Sequence, residues 1–312
     1  MHESRLGVVL TGVGALVAVA LVGSVSESAA QRSQPSGEIA YVATKSRIYV
    51  VNADGTGRRL LLTGVAMDTF NWSPDGALIA YTAGPWSDEF PPTVIRIART
   101  DGTVLRTLPR VGLDSAYEPT WSPDGARLAF GGWKERDDSY AIYSMRADGT
   151  GLRRVTSPVY PLLDESPEWS PDGRWIVFER IGRTAWTDVM VVRPDGRRLH
   201  RIARVLTGNQ CACPDWSPDG SKITYQASPN VATLRFPEIF VMNANGTDRR
   251  QLTHDRSRDE NPDWSPDGQW IAFYSERRGN GEIYVIRADR SALERITRDR
   301  WYSMYPRWRP GG

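Results

Sequence analysis

The chain has 312 residues, 40% of them hydrophobic and 24% charged, a globular balance with enough apolar material for a sizeable buried core. Its 39 basic and 37 acidic residues leave a formal charge of +2 with no long basic run, which excludes the electrostatic footprint of a nucleic-acid binder or a polybasic membrane-surface protein.

Taken in chain order, residues 1–30 stand apart. "MHESR" precedes the uncharged, mostly apolar run "LGVVLTGVGALVAVALVGSV", and "SESAA" closes it. This reads as an export signal cleaved after Ala30, where Ser28 and Ala30 give a small-x-small pattern. Signal cores are usually about 7–15 residues and this run is longer, so an uncleaved single-pass anchor is the alternative. Both readings place the chain outside the cytosol, in the periplasm, the cell envelope or the extracellular space. No Cys follows the run, so no lipoprotein anchor is encoded there. Residues 31–36 form a short linker, and residues 37–312 are occupied by a repeat.

"WSPDG" occurs at 72–76, 121–125, 169–173, 216–220 and 264–268, and a diverged copy, "WRPGG", fills 308–312. Each full copy precedes an apolar run rich in β-branched and aromatic residues: "LIAYTA" (78–83), "RLAFGG" (127–132), "WIVFER" (175–180), "KITYQA" (222–227) and "WIAFYS" (270–275). A second such element follows, as in "IYSMRADGTG" (142–151) and "IFVMNANGTD" (239–248), and then a short "RRVT" or "RRQLT" segment. In Ser-Pro-Asp-Gly, Pro presets φ, Asp bonds the local backbone and Gly takes the positive φ that rejoins the next strand. One repeat is therefore four antiparallel strands, with the Trp on the first as filler between sheets. Residues 37–63 supply the second to fourth strands of a repeat and lack the first, which "YPRWRPGG" supplies from the other end of the chain. The expected fold is an all-β, six-bladed propeller of four-stranded blades, closed by joining N- and C-terminal strands in one blade.

The pattern P-x-W-S-P-D-G-x-x-I-A-F followed by I-Y-V-M-N-A-D-G-T resembles the TolB-type (WD-like, PD40) β-propeller repeat over residues 37–312. The resemblance implies six blades. TolB itself carries an additional N-terminal α/β domain that contacts translocation partners. Here fewer than ten residues separate the export signal from the first strand, so the resemblance extends to the propeller alone.

Strand order separates the two ends of such a ring. The SPDG and ADGT turns lie at one end and repeat for geometry. The second-to-third and fourth-to-first connections lie at the other, differ in every blade and are where a partner is expected. Trp86, Trp133 and Trp186 fall in those connections, as do Trp301 and Tyr302, and they form either an aromatic contact rim or packing on the blade tops. Asp68, Glu118, Asp164, Glu165, Asp259 and Glu260 stand three to five residues before the repeat Trp, at the expected mouth of the central channel. Such carboxylates suit a hard cation such as calcium or a cationic peptide, or else cap turns and pair with neighbouring Arg. Cys211 and Cys213 are expected to form a disulfide across a tight bend, with a metal site completed by His254 as the alternative. No G-x-S-x-G, H-E-x-x-H or P-loop occurs. Related propellers in prolyl-oligopeptidase-type peptidases and oligogalacturonate lyases carry a hydrolase domain or a His-rich metal site, which this sequence does not show. The expectation is a monomeric, non-catalytic, exported scaffold without a cofactor, binding a protein, peptide or glycan and not nucleic acid. A propeller enzyme, a carbohydrate lyase or hydrolase with an atypical site, is the alternative.

Overall fold

The computed structural model describes residues 34–43, 46–66, 69–84, 92–208, 211–298 and 301–311, without the side chains of residues 137 and 233. Each Ser-Pro-Asp-Gly segment forms the turn its residues dictate. At 73–76 the Gly76 N–H donates to the Ser73 carbonyl at 2.8 Å, and Gly76 has φ +65°. Ser73 Oγ donates to Asp75 Oδ1 at 2.6 Å, and the Ala77 N–H reaches the same carboxylate at 3.0 Å. The same Ser-to-Asp bond recurs at Asp124, Asp172, Asp219 and Asp267. The turn is thus tied by its own side chains, and this sets the register of the two strands it joins.

Six four-stranded antiparallel sheets result. In chain order, the second blade is Phe70–Trp72, Leu78–Ala83, Val94–Arg99 and Val104–Thr107. The third is Ser115–Trp121, Arg127–Lys134, Ser139–Arg146 and Arg153–Arg154. The fourth is Leu163–Trp169, Ile176–Ile181, Trp186–Val192 and His200–Leu206. The fifth is Asp215–Trp216, Lys222–Ala227, Glu238–Asn243 and Arg250–Gln251. The sixth is Asp259–Trp264, Trp270–Ser275, Glu282–Arg287 and Leu293–Arg295. The first blade closes the ring. Its strands Glu38–Ala43, Arg47–Asn52 and Arg59–Thr63 are joined by Ser303–Trp308, with Ile39 opposite Trp308 and Ala43 opposite Ser303.

The core lies between blades. Trp72 clusters with Ala40, Val42 and Ile48 of the first blade, Trp121 with Ala80, Ile95 and Ile97 of the second, and Trp308 with Ala272, Ile283 and Val285 of the sixth. Each large side chain buried this way contributes about 1.5–3 kcal/mol, so a blade owes its stability to its neighbours. The second hairpin turn is held just as closely: a Cβ on Gly246 would lie 1.9 Å from the Ile202 carbonyl of the preceding blade. Glycine there serves both the left-handed φ of +82° and the close approach. Among the described residues no helix is long and apolar enough to cross a membrane.

Candidate functional site

The inner strands do not run straight to the axis. Three residues before the repeat Trp, the backbone turns left-handed in five blades, at Glu118 (φ 53°), Ser166 (52°), Cys213 (43°), Asn261 (54°) and Tyr305 (52°). The pairing register slips at the same place, between Tyr117 and Thr120, between Glu165 and Glu168, and between Glu260 and Asp263. A bulge of this kind re-aims side chains. Here it turns these residues and the prolines after them onto the axis, around a cavity of about 60 Å³ that Glu118, Ser166, Cys213, Asn261 and Tyr305 line.

Below the bulge, the residue just before each Trp forms a second level. Arg307 of the closing strand donates to Glu168 of the fourth blade at 2.8 Å and to Asp263 of the sixth at 3.1 Å. Glu168 also accepts from Thr120 Oγ1 at 2.6 Å and from Asn71 Nδ2 at 3.2 Å. Asp263 accepts the Trp308 N–H at 2.5 Å, and Asp215 accepts the Trp264 N–H at 2.9 Å. Of this level, Glu168 and Arg307 line the axial cavity, and Glu168 and Asp263 are buried. Dehydration pushes Asp215 well above the usual carboxylate range and Asp263 up to about 6, against the opposing charge of Arg307. The sequence signal for this level is the polar residue one place before each repeat Trp rather than three to five, set in P-x-W in five blades and in Phe-Asn-Trp at 70–72.

The six carboxylates singled out from sequence divide three ways. Asp164 is fully buried and makes a bidentate pair with Arg180, at 2.6 and 2.8 Å. Asp259 accepts from Ser275 Oγ at 2.6 Å and Arg277 at 2.8 Å, and Glu260 pairs with Arg258 at 2.7 Å. Asp68 lies outside the described residues. Glu118 and Glu165 make no ion pair among the described residues and instead adjoin a third acid, Glu179, which sequence reasoning missed. Glu179 is the one acid in the strand Ile176–Ile181 and is fully buried. It accepts from Ser166 Oγ at 2.7 Å and the Ala212 N–H at 2.6 Å, while the Ser166 N–H donates to Glu118 at 2.7 Å. Burial, then the neighbouring Glu118, Glu179 and Asp164, push Glu165 up to about 8. Burial lifts Glu179 to about 7 against its two hydrogen bonds, and Glu118 also rises. A second acidic group, Glu238, Asp255 and Asp259, already holds Arg277, 3.1 Å from Asp255.

Trp186, Trp301 and Tyr302 are 45%, 62% and 51% exposed at the loop-bearing end. Trp133 is part-buried, its ring 6.0 Å from that of Tyr140. Trp86 lies outside the described residues. Cys211 and Cys213 are joined as a disulfide, with Cα atoms 5.3 Å apart. The ligand-type group beside their sulfurs is Glu179, while His254 is exposed. At the opposite end, a groove of about 640 Å³ between the fourth and fifth blades is lined by Trp175, His200, Trp216 and Asn245.

The family model of the TolB β-propeller domain (PD40) matches residues 29–234 and 189–312. Over 110 residues, 34% of this chain, the sequence is 33% identical to the "uncharacterized peptidase YuxL" of Bacillus subtilis, and the match spans 16% of that protein. The crystal structure of TolB from Acinetobacter baumannii superposes with a TM-score of 0.70 at 21% identity, covering 89% of this chain and 68% of that one. Oligogalacturonate lyase from Vibrio parahaemolyticus gives a TM-score of 0.56 at 14% identity, over 81% of this chain and 75% of the lyase. At these identities the structural likenesses show the fold alone.

Proposed function

The chain belongs to the TolB β-propeller family, and we propose that it is an exported, non-catalytic scaffold that takes a cationic segment of a protein or peptide partner at the loop-bearing end of its axis. The observation that carries this reading is the Glu118–Glu165–Glu179 group, three adjoining acids that make no ion pair among the described residues, in which burial lifts Glu165 to about 8 and Glu179 to about 7 and raises Glu118 against the more distant charge of Arg307. A Lys or Arg side chain entering the mouth would displace the protons of these acids and supply the missing charge. Export rests on the apolar leader in residues 1–30. A non-catalytic role is supported by the axis itself. His200 stacks edge-on against Trp175 and His254 lies in an exposed loop, so neither lines the axial cavity. The similarity to a protein named a peptidase spans a sixth of that protein and brings no activity with it.

The exposed Trp186, Trp301 and Tyr302 favour a second reading, a glycan stacked on the rim. Crosslinking and pull-down from the native envelope separate the two when run with wild type, Glu118→Gln/Glu165→Gln and Trp186→Ala/Trp301→Ala. Salt-sensitive loss of a protein partner in the acid variant supports the cationic segment. Retention of a glycan that only the Trp variant loses supports the second reading, and a partner lost from neither variant overturns both.

A further inference from the structure

We propose that the Cys211–Cys213 disulfide is a redox-active site that exchanges with the dithiol of a protein substrate at the propeller axis. Its place in the fold argues against a staple. The bridge spans two residues, so it closes a loop too short to remove much chain entropy. The fifth blade is already fastened to the sixth at this level by the Trp264 N–H on Asp215. What surrounds the sulfurs is chemistry. Both cysteines are part-exposed, and Cys213 sits on the bulge that lines the axial cavity. Asn261 Nδ2 donates to Cys213 Sγ at 3.5 Å, and a Glu179 carboxylate oxygen lies within 4.8 Å of both sulfurs.

This arrangement has what disulfide exchange requires: an accessible sulfur to attack, a stabilised leaving sulfur and a nearby proton source. A substrate thiolate attacks Cys211 Sγ, forming a mixed disulfide as the Cys211–Cys213 bond breaks. The electron pair leaves on Cys213 Sγ, where the Asn261 amide stabilises it and the Glu179 carboxylic acid protonates it. Solvent then takes the proton of the substrate's second thiol and returns one to the Glu179 carboxylate. That thiolate attacks the substrate sulfur of the mixed disulfide and releases Cys211 as a thiolate, which solvent protonates. The substrate loses two electrons and two protons and becomes a disulfide, and the protein gains both as a dithiol. Glu179 is suited to this cycle because burial holds it near 7, so it passes between acid and base at neutral pH. The groups facing it are Ser166 and the Ala212 N–H, which donate to it, and the acids Glu118 and Glu165, whose charges favour its protonated form.

The test uses purified full-length protein and a reduced peptide carrying two thiols, with acid quenching and mass measurement of both partners across pH 5.5–8.5. The expected result is stoichiometric oxidation of the peptide by the native protein, with a rate that inflects near pH 7. Glu179→Gln should lower the rate about tenfold at pH 7 and remove the inflection, while Asn261→Ala slows exchange with the inflection kept. Trapping with the Cys213→Ser variant and oxidised peptide should leave a mixed disulfide on Cys211. A native disulfide that the peptide reduces only after denaturation would overturn the proposal. So would Glu179→Gln exchanging with wild-type rate and pH profile, or, should that variant not fold, Asn261→Ala exchanging at the wild-type rate. The readout uses no envelope partner, so its failure leaves the binding reading standing, and the reverse holds.

Discussion

Arg290 stands where the equivalent turns of the other blades carry Gly55, Gly102, Gly149, Gly196 and Gly246, and it takes the left-handed φ of +70° that those glycines take freely. A side chain in that region costs about 1–2 kcal/mol, partly offset by the extra freedom glycine has in the unfolded chain. Arg290→Gly is expected to stabilise the protein by about 0.5–1 kcal/mol, read as a rise in melting temperature. The opposite change is expected at Asp124, whose carboxyl the Ser122 hydroxyl and the Ala126 N–H hold below the usual range. Asp124→Ala should cost about 1 kcal/mol in denaturant unfolding and leave the axial acids untouched. Both residues sit in turns whose geometry is local, so the sequence alone displays what they do.

The closing strand Ser303–Trp308 acts at the scale of an element. It covers the edge of Glu38–Ala43 and, through Arg307, ties the first blade to the fourth and the sixth across the axis. Removing residues 303–311 should bare a sheet edge and strip one wall from the cluster that contains Trp308, with a loss of several kcal/mol and association of the exposed edges, measured by melting and sedimentation. Arg307→Ala keeps the strand and removes only the guanidinium. It leaves Glu168 and Asp263 without their counter-charge, for which the expected cost is about 3–5 kcal/mol, less where the cavity admits water. If Arg307→Ala melts as wild type does, the axial ion pairs contribute nothing to closure.

For the whole molecule, the acids set an unusual pH dependence. Glu165, Glu179 and Glu238 titrate at about 8, 7 and 7 in the folded protein, all raised first by burial. Because these pKa values lie above those of the unfolded chain, the folded state binds more protons between about pH 4.5 and 8, and stability falls as pH rises through that window. The turn aspartates Asp75, Asp124 and Asp219 act in the other direction, since their lowered pKa values give stability that is lost below about pH 4. Melting temperature should therefore peak near pH 5 and decline toward pH 8. The accompanying loss of unfolding free energy is expected to be at least about 1 kcal/mol, because a tenfold difference in proton affinity between folded and unfolded chain is worth about 1.4 kcal/mol. The double variant Glu165→Gln/Glu179→Gln should flatten that decline, and a wild-type maximum at or above pH 7 would refute the assignment.

The repeat was fully legible because its causes are local. Ser-Pro-Asp-Gly makes a turn wherever it stands, alternating β-branched and aromatic residues make strands, and a first strand missing at residue 37 and present at 308 permits one closure. The axis was not legible. The left-handed bulge at Glu118, Ser166, Cys213, Asn261 and Tyr305 follows from strands converging around an axis, and no five-residue motif announces it. It decides that Asp164, Asp259 and Glu260 reach arginines, while Glu118 and Glu165 meet Glu179, an acid 61 positions from the first and 14 from the second. Dehydration of a charge depends on every chain segment around it, so the sequence determined the ring, and only the ring's tertiary closure decided which of its acids hold protons.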